Sequence, residues 1–252
     1  MPRQARRMSN SGYMHIITRG IGRQLLFEED QDYLYYLTIL EKYSLETGVS
    51  ICAYCLMENH VHLLVHGESG QIVLLMKKLG VKFAGWFNWK YERIGHLFQD
   101  RYKSEPVEDD GYLFTVFRYI LQNPEKAGIC PAAEYRWSSY RLFDHAPAFM
   151  ELDPFRRKMN MEQYREFINT GNDDVCLEFC EAPHNDQWAQ SVIQKELGLR
   201  SGTEIQNFDK ASRNAALSML KTKGLTIRQI ERLTGINRNI IQRVCCSGKQ
   251  QT

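Results

Sequence analysis

The chain has 252 residues, 43% of them hydrophobic, which is enough for one large or two modest domains with real cores. Its formal net charge is only +2. No apolar run approaches the roughly 18 residues that a membrane span needs, and the arginine-rich N-terminus lacks the hydrophobic stretch of a secretion signal. The seven cysteines show no zinc-knuckle spacing. These features disfavour a secreted or membrane protein and indicate reduced thiols and a cytoplasmic location.

Charge is spread unevenly along the chain. Residues 1–27 carry five arginines and no acidic side chain, residues 77–103 and 210–249 are also basic, and residues 144–186 are acidic. Separate basic blocks indicate a polyanionic partner that is contacted at particular surfaces. For any single block, ordinary solvated charge is the alternative interpretation.

The first half of the chain alternates strand and helix patterns. In chain order the pattern predicts a strand at 12–18, a helix at 30–46, strands at 49–57 and 60–66, a helix from 69 to about 91, a strand at 97–107 and a helix from 109 to about 123. This order predicts an α+β, ferredoxin-like domain, in which a split βαβ unit forms a four-stranded antiparallel sheet with helices on one face. One helix is appended, and the first and third strands occupy the centre of the sheet.

The second half of the chain is predicted to be helical. Helices are expected at 161–169, about 174–180 and 188–197, after a linker-like segment at 145–148. The tail then predicts a helix at 211–223, a short helix that Thr226 caps, a turn at Gly235 and a last helix that opens at Asn237, which together are typical of a helix-turn-helix. We therefore expect a catalytic domain at 1–145, a helical linker region at 146–205 and a helix-turn-helix DNA-binding region at 206–252.

The last predicted helix carries polar residues on the side expected to be exposed. Their types are those that contact base edges and phosphates in nucleic-acid complexes. They are Arg238, Asn239, Gln242 and Arg243. Glu231 counts against this interpretation, because such motifs usually have a small residue at that position. The alternative is a helical bundle packed on the first domain.

Two histidines, His60 and His62, interrupt an apolar, β-branched strand pattern. Since residues i and i+2 of a strand point to the same face, both imidazoles face one side while Val61 faces the other. Convergent imidazoles are what a divalent metal site needs, whereas two half-buried structural histidines are the alternative. His66 continues the series as a weaker candidate ligand, and His15 on the first strand is expected to be packed.

The appended helix carries Tyr119 and Asn123 four residues apart, so the two share one helical face. The asparagine oxygen suits Mg²⁺ or Mn²⁺ and would complete a His-His-Asn site with positions open to substrate. A metal there would polarise a phosphodiester, and Tyr119 would attack phosphorus to give a covalent phosphotyrosine. A packing role is the alternative for Tyr119. Tyr112 is the second candidate nucleophile, although Val116 stands at its i+4 position.

Several motifs around these residues resemble those of the HUH single-tyrosine transposases, most closely the REP-associated tyrosine transposases related to small insertion-sequence enzymes. The resemblance spans about residues 12–142. The motifs are Thr18-Arg19-Gly20, Ala53-Tyr54-Cys55-Leu56-Met57-x-Asn59-His60-Val61-His62-Leu63-Leu64-Val65, Gly95-His96-Leu97-Phe98-Gln99-x-Arg101-Tyr102-Lys103-Ser104, Arg118-Tyr119-Ile120-x-x-Asn123-Pro124 and Trp137-Ser138-Ser139-Tyr140. Glu58 departs from the proline that many relatives have.

The resemblance implies metal-dependent cleavage and joining of single-stranded DNA, guided by a DNA hairpin. It implies that His60, His62 and Asn123 hold the metal and that Tyr119 is the nucleophile. Mobile relatives act as homodimers that exchange the tyrosine helix, whereas domesticated relatives include chains that work alone.

Two further classes of function stay open at the level of sequence. A non-catalytic DNA- or RNA-binding regulator would keep the sheet and the helix-turn-helix without cutting, and a metal-dependent hydrolase would cut without a covalent intermediate. If the protein binds nucleic acid, we expect three basic residues on strands near the site to contact the DNA backbone, namely Arg19, Arg101 and Lys103. Simple surface charge is the alternative for these three residues.

Overall fold

The computed structural model describes residues 7, 9–174, 176–177 and 186–246. The chain divides into two compact units, Met1–Phe179 and Cys180–Thr252. Each unit has its own cluster of buried apolar side chains. In the described part of the chain, no helix is long and apolar enough to cross a membrane. The cytoplasmic location stays a prediction.

The first unit is built on a four-stranded antiparallel sheet. Its strands are β1 (Tyr13–Arg19), β2 (Ser50–Met57), β3 (His60–His66) and β4 (Lys103–Val107), in the spatial order β2-β3-β1-β4. The long helices α1 (Asp30–Thr47) and α2 (Ser69–Lys90) make the two crossovers. The predicted split βαβ fold is confirmed, with β1 and β3 in the centre of the sheet.

The two faces of the sheet follow from the strand register. Thr18 on β1 lies opposite Val61 on β3, and this face is covered by α1 and α2, whose Tyr36 and Met76 line a cavity of about 330 Å³ together with Thr18. On the other face, Ile17 lies opposite His62 and Arg19 lies opposite His60. The crossover helices thus leave the histidine face to other elements.

The appended helix covers the histidine face. It is α3 (Asp110–Leu121), whose N-cap Asp109 accepts a hydrogen bond from the backbone nitrogen of Tyr112. A short turn of helix, α4 (Asn123–Lys126), follows directly, with Pro124 in its first turn. The predicted single helix to Asn123 therefore ends two residues early and restarts, because Pro124 has no backbone N–H to continue the ladder of α3.

The predicted fourth strand is wrong in its first half. Residues 97–102 are not in β4; instead the backbone of Leu97 and Gln99 bonds to the chain at the end of β1, through Ile21 and Arg19. These irregular bonds, with an isolated bridge between Gly20 and Phe98, hold the segment at the sheet margin. Arg101, predicted on a strand, therefore lies in this margin segment.

Residues 135–169 belong to the core of the first unit. The backbone of Trp137 and Phe149 bonds to β2 at Leu56 and Ile51, which covers that edge of the sheet. The helices α5 (Asp153–Arg156) and α6 (Met161–Asn169) follow. Their buried aromatic side chains pack on α3, where Phe155 stacks on Phe117 at 3.9 Å between ring centroids.

The division into units differs from the predicted domain boundaries. Of the predicted linker region at 146–205, residues 146–174 pack with the sheet and α3, and residues 186–205 belong to the second unit. In the helix predicted at about 174–180, residues 174, 176 and 177 are not helical, and the remaining residues lie outside the described part of the chain.

The second unit is helical within its described residues, 186–246. Its helices are α7 (Asp186–Leu197), α8 (Lys210–Thr222), α9 (Ile227–Thr234) and α10 (Arg238–Cys246). Thr226 caps α9 through a capping box with Gln229, and Gly235 ends it at a φ of 68°, a conformation that favours glycine. The predicted succession of short helix, glycine turn and last helix is present.

Candidate active site on the histidine face

The strand β3 presents His60 and His62 on one face, with ring centroids 5.0 Å apart and the rings nearly perpendicular. His60 is half-buried and its Nδ1 bonds to the side-chain oxygen of Asn59 at 2.7 Å. An amide oxygen can only accept, so the proton of this bond is on Nδ1 and the lone pair of His60 is on Nε2. The tight turn at Glu58–Asn59 thus orients the first imidazole.

The second imidazole is buried and neutral. His62 is 2% exposed, and burial, with smaller contributions from His15 and His60, holds its pKa well below the ordinary value. Its Nδ1 lies 3.1 Å from Nε2 of His15, a completely buried residue of β1. Burial lowers the pKa of His15 to about 3. Both rings are therefore uncharged at neutral pH, the state in which an imidazole can bind a metal or accept a hydrogen bond.

The helix α3 places Tyr119 against these rings. Its centroid is 5.8 Å from that of His62 and 6.0 Å from that of His15, both in edge-on geometry. Asn123 lies one turn further on and is half-buried, and its side-chain nitrogen donates to the backbone oxygen of Tyr119 at 3.4 Å. The amide nitrogen is thus engaged within the chain, which leaves the amide oxygen as the group able to bind a cation.

A basic residue and a short segment hold the tyrosine helix. Lys126 of α4 lies with its ammonium 4.7 Å from the centroid of the Tyr119 ring and bonds to the backbone oxygen of Asp174 at 3.1 Å. The Asp174 carboxylate makes a two-pronged ion pair with Arg118, at 2.8 and 3.0 Å. Gln122 donates to the backbone oxygens of the segment after α6, at Ile168 and Thr170. Residues 168–174 therefore brace both ends of the α3–α4 junction.

The predicted DNA-backbone contacts are partly gathered around the histidines. Arg19 is directly opposite His60 on the same face of the sheet, and Lys103 is opposite Ile17, the neighbour of His62. Arg101 is exposed in the margin segment at 97–102 rather than on β4. The sheet register thus brings two of the three cations to the histidine face.

The two alternative residues of the sequence analysis lie elsewhere. Tyr112 is two turns from Tyr119 on α3, and its hydroxyl donates to Glu105 at 2.8 Å, so that burial and this bond raise its pKa. His66 stacks on Tyr13 and bonds through Nδ1 to Glu151 at 2.7 Å, at the far end of β3.

The donor set fits a divalent cation with open positions. Within the described residues no cluster of three or more His, Cys, Asp or Glu side chains is arranged to hold a metal ion, so a site built only from these residue types is not present there. The predicted set is of another kind, with two neutral imidazoles and one amide oxygen. Nδ1 of each imidazole is engaged in a hydrogen bond, so Nε2 is the nitrogen with which His60 could bind a metal, and His62 could do the same if its Nδ1 is the donor.

The last helix α10 of the second unit carries the predicted nucleic-acid contacts. Asn239 and Arg243 are exposed, while Arg238 and Gln242 are half-buried. Glu231 of α9, which departs from the usual small residue, accepts a hydrogen bond from the backbone nitrogen of Arg238 at 3.2 Å. Its carboxylate therefore caps the start of α10, which accounts for an acidic residue at this position.

A family model described as "Transposase IS200 like" matches residues 8–123, the stretch that contains the sheet, both histidines, Tyr119 and Asn123. Over these residues, slightly less than half of the chain, the protein is similar to IS200-like transposases. The match ends at Asn123, so the bracing segment at 168–174 and the second unit lie outside it. No curated protein sequence matches the chain significantly.

One solved structure supports the fold of the first unit. A REP-associated tyrosine transposase bound to a REP hairpin superposes with a TM-score of 0.54 at 14% identity, covering 73% of this chain and all of that one. At this identity the likeness concerns the fold alone. A candidate transposase from Deinococcus radiodurans R1 has a TM-score of 0.34 at 17% identity, over 47% of this chain and 95% of its own, and adds nothing to the argument.

One residue of the candidate site was not expected from the sequence. His15 contacts both His62 and Tyr119, whereas its place in an alternating strand predicts only packing. The signal that would have found it is the sheet register: His15 and His62 are diagonal neighbours on the two central strands, because His15 is opposite Leu64 and His62 is opposite Ile17.

Proposed function

We propose that the first unit cleaves and rejoins single-stranded DNA through a covalent 5′-phosphotyrosine at Tyr119, with Mg²⁺ or Mn²⁺ held by His60, His62 and Asn123. The observation that carries the proposal is the packing of the Tyr119 ring, 5.8 Å from the ring of His62, on the face that also presents His60. The similarity of residues 8–123 to IS200-like transposases supports DNA transposition as the context of this reaction. The substrate we propose is single-stranded DNA that carries a hairpin, as in REP-like or insertion-sequence ends.

The proposed reaction exchanges one phosphorus–oxygen bond for another. The Tyr119 oxygen bonds to phosphorus, the bond from phosphorus to the 3′ oxygen breaks, and the 3′ oxygen leaves as a hydroxyl while the phenol loses its proton. A bound metal would supply Lewis-acid polarisation of the phosphate. Another 3′-hydroxyl can then attack the phosphotyrosine and reverse the step, which rejoins the strand without an external energy source.

The surrounding side chains would hold and orient the DNA. Arg19 and Lys103 on the histidine face, with Arg101 at the sheet margin, would contact phosphates beside the scissile bond. In the second unit, we propose that α9 and α10 form a DNA-binding helix-turn-helix, whose contacts come from Arg238, Asn239, Gln242 and Arg243. A homodimer that exchanges the tyrosine helix stays a prediction. Light scattering of the free and DNA-bound protein would show whether the chain is a monomer or a dimer.

Trapping the covalent adduct tests this function. The full chain is incubated with single-stranded hairpin DNA, taken from palindromes that flank its gene, in Mg²⁺ or Mn²⁺, and adducts are resolved on a denaturing gel. We expect an adduct with the wild type and with Tyr119's matched control, Tyr112→Phe, but none with Tyr119→Phe or His60→Ala. An adduct that survives Tyr119→Phe would contradict the assignment of the nucleophile.

The same gel separates the alternative functions. A regulator that binds without cutting would retain the hairpin in a native gel and give neither product nor adduct. A metal-dependent hydrolase would release many products per chain with no adduct. Either pattern, found across the flanking palindromes, would overturn the proposed reaction.

A further inference from the structure

We infer that His15 is a positioning residue, which holds His62 in the one tautomer and ring orientation that can bind the metal. The inference rests on the proposed function, since it concerns how that metal site is prepared. It starts from a contact between two buried side chains: Nε2 of His15 lies 3.1 Å from Nδ1 of His62, and the two rings stack at 5.4 Å between centroids.

The hydrogen bond has two possible directions, and only one suits a ligand. If His15 donates from Nε2, then Nδ1 of His62 accepts, the His62 proton is on Nε2, and that nitrogen cannot coordinate. If His62 donates from Nδ1, its Nε2 has the lone pair and can coordinate. The productive direction therefore requires His15 to be an acceptor, with its own proton on Nδ1.

The neighbouring ligand shows the same arrangement with a different partner. Nδ1 of His60 donates to the side-chain oxygen of Asn59 at 2.7 Å, and an amide oxygen has no other choice than to accept. His60 is held by a residue next to it in the chain, whereas His62 is held across the sheet from β1. A second group bonded to Nδ1 is the usual means by which proteins orient metal-bound histidines.

Two features separate this role from simple packing. First, His15 is completely buried, and its Nδ1, which holds the proton in the productive direction, has no acceptor among the described residues; an apolar side chain at this position would avoid that cost. Second, the same ring meets Tyr119 edge-on at 6.0 Å, so one side chain contacts a proposed ligand and the proposed nucleophile.

Variants of His15 that differ only in reach test the inference. Glutamine places its amide oxygen about where Nε2 of the imidazole lies and can accept from His62, whereas asparagine is one methylene shorter and cannot reach it. Leucine removes the acceptor altogether. His66→Leu is the matched control. It also deletes an imidazole from this face of β3, but the His66 ring bonds to Glu151 and not to His62.

The measurement is binding of Mn²⁺ alone to the full-length chain by calorimetry, at neutral pH and without DNA. We expect Kd to rise about 10- to 100-fold in His15→Leu and His15→Asn, and to stay within a few-fold of the wild type in His15→Gln and His66→Leu. Nitrogen-15 spectra of the histidine rings give a second readout: Nδ1 of His62 should be protonated in the wild type and in His15→Gln.

The outcomes distinguish this inference from the proposed function. Wild-type Mn²⁺ affinity in both His15→Leu and His15→Asn would overturn the positioning role while leaving the metal site intact. Equal losses in His15→Gln and His15→Asn would assign His15 to packing rather than to the hydrogen bond. A wild type that binds Mn²⁺ no better than His60→Ala would overturn the metal site itself, and the inference with it.

Discussion

Lowering the pH from 7 to 5 should destabilise the first unit, because two imidazoles are buried in it as neutral groups. His15 has a folded-state pKa of about 3 and that of His62 is well below its ordinary value of 6.5. As the pH falls below 6.5, the unfolded chain takes up protons at these positions and the folded chain does not. The contribution of these histidines to the free energy of unfolding is therefore fully present above pH 6.5 and is lost as the pH falls towards the folded-state pKa. His15 then contributes a loss of about 2 kcal/mol between pH 7 and pH 5, and His62 adds a loss of the same sign.

Urea unfolding of the full chain at pH 7 and pH 5, in a buffer with a metal chelator, measures this loss. Far-ultraviolet circular dichroism and tyrosine or tryptophan fluorescence would follow the two units, which have separate cores. In His15→Gln the loss for the first unit should be smaller by about 2 kcal/mol, because one of the two buried imidazoles has been removed. A pH dependence that is unchanged in this variant, or a first unit equally stable at both pH values, would refute the burial of neutral histidines.

Three further predictions concern the elements around the site. Tyr112→Phe removes a hydrogen bond to β4 and should lower the unfolding free energy by about 1 kcal/mol without reducing the adduct yield; loss of the adduct would make Tyr112 the nucleophile. Asp174→Asn breaks the charge pairing with Arg118 and should lower the unfolding free energy by about 1–3 kcal/mol. It should slow adduct formation more than it weakens hairpin binding, and equal effects in both assays would show that the segment at 168–174 does not place the tyrosine. Asn239→Ala combined with Arg243→Ala should weaken binding to the native DNA target in gel-shift titrations while chemistry on a short hairpin is unchanged, and unaltered target affinity would remove the helix-turn-helix assignment.

The order of elements in the first unit was predictable because local patterns determine it. Alternation in β1 and β3 and the tight turn at Asn59 predict the hairpin and the face that His60 and His62 share. The spacing of Tyr119 and Asn123 likewise predicts a common helical face, and the structure brings Tyr119 to His62. These are contacts within one element or between elements whose pairing the fold class implies.

The parts that sequence reasoning missed depend on contacts between distant segments. The role of His15 follows from the register between β1 and β3, which a single strand pattern does not contain. The segment at 146–174 has the composition of a linker with short helices, yet Phe155 and Tyr164 pack on α3 and add to the core of the first unit. The margin segment at 97–102 was predicted as the first half of a strand, but it is held by irregular bonds to the end of β1.

Mapping the covalently modified residue tests the central claim most directly. After reaction with hairpin DNA and nuclease digestion, trypsin places the two candidate tyrosines in different peptides, since Arg118 separates Tyr112 from Tyr119. We predict that mass spectrometry finds a nucleotide, joined through its 5′ phosphate, on the peptide Tyr119–Lys126, whose only tyrosine is Tyr119. The modification on the Tyr112 peptide, or a cleaved DNA with no modified peptide, would contradict the account.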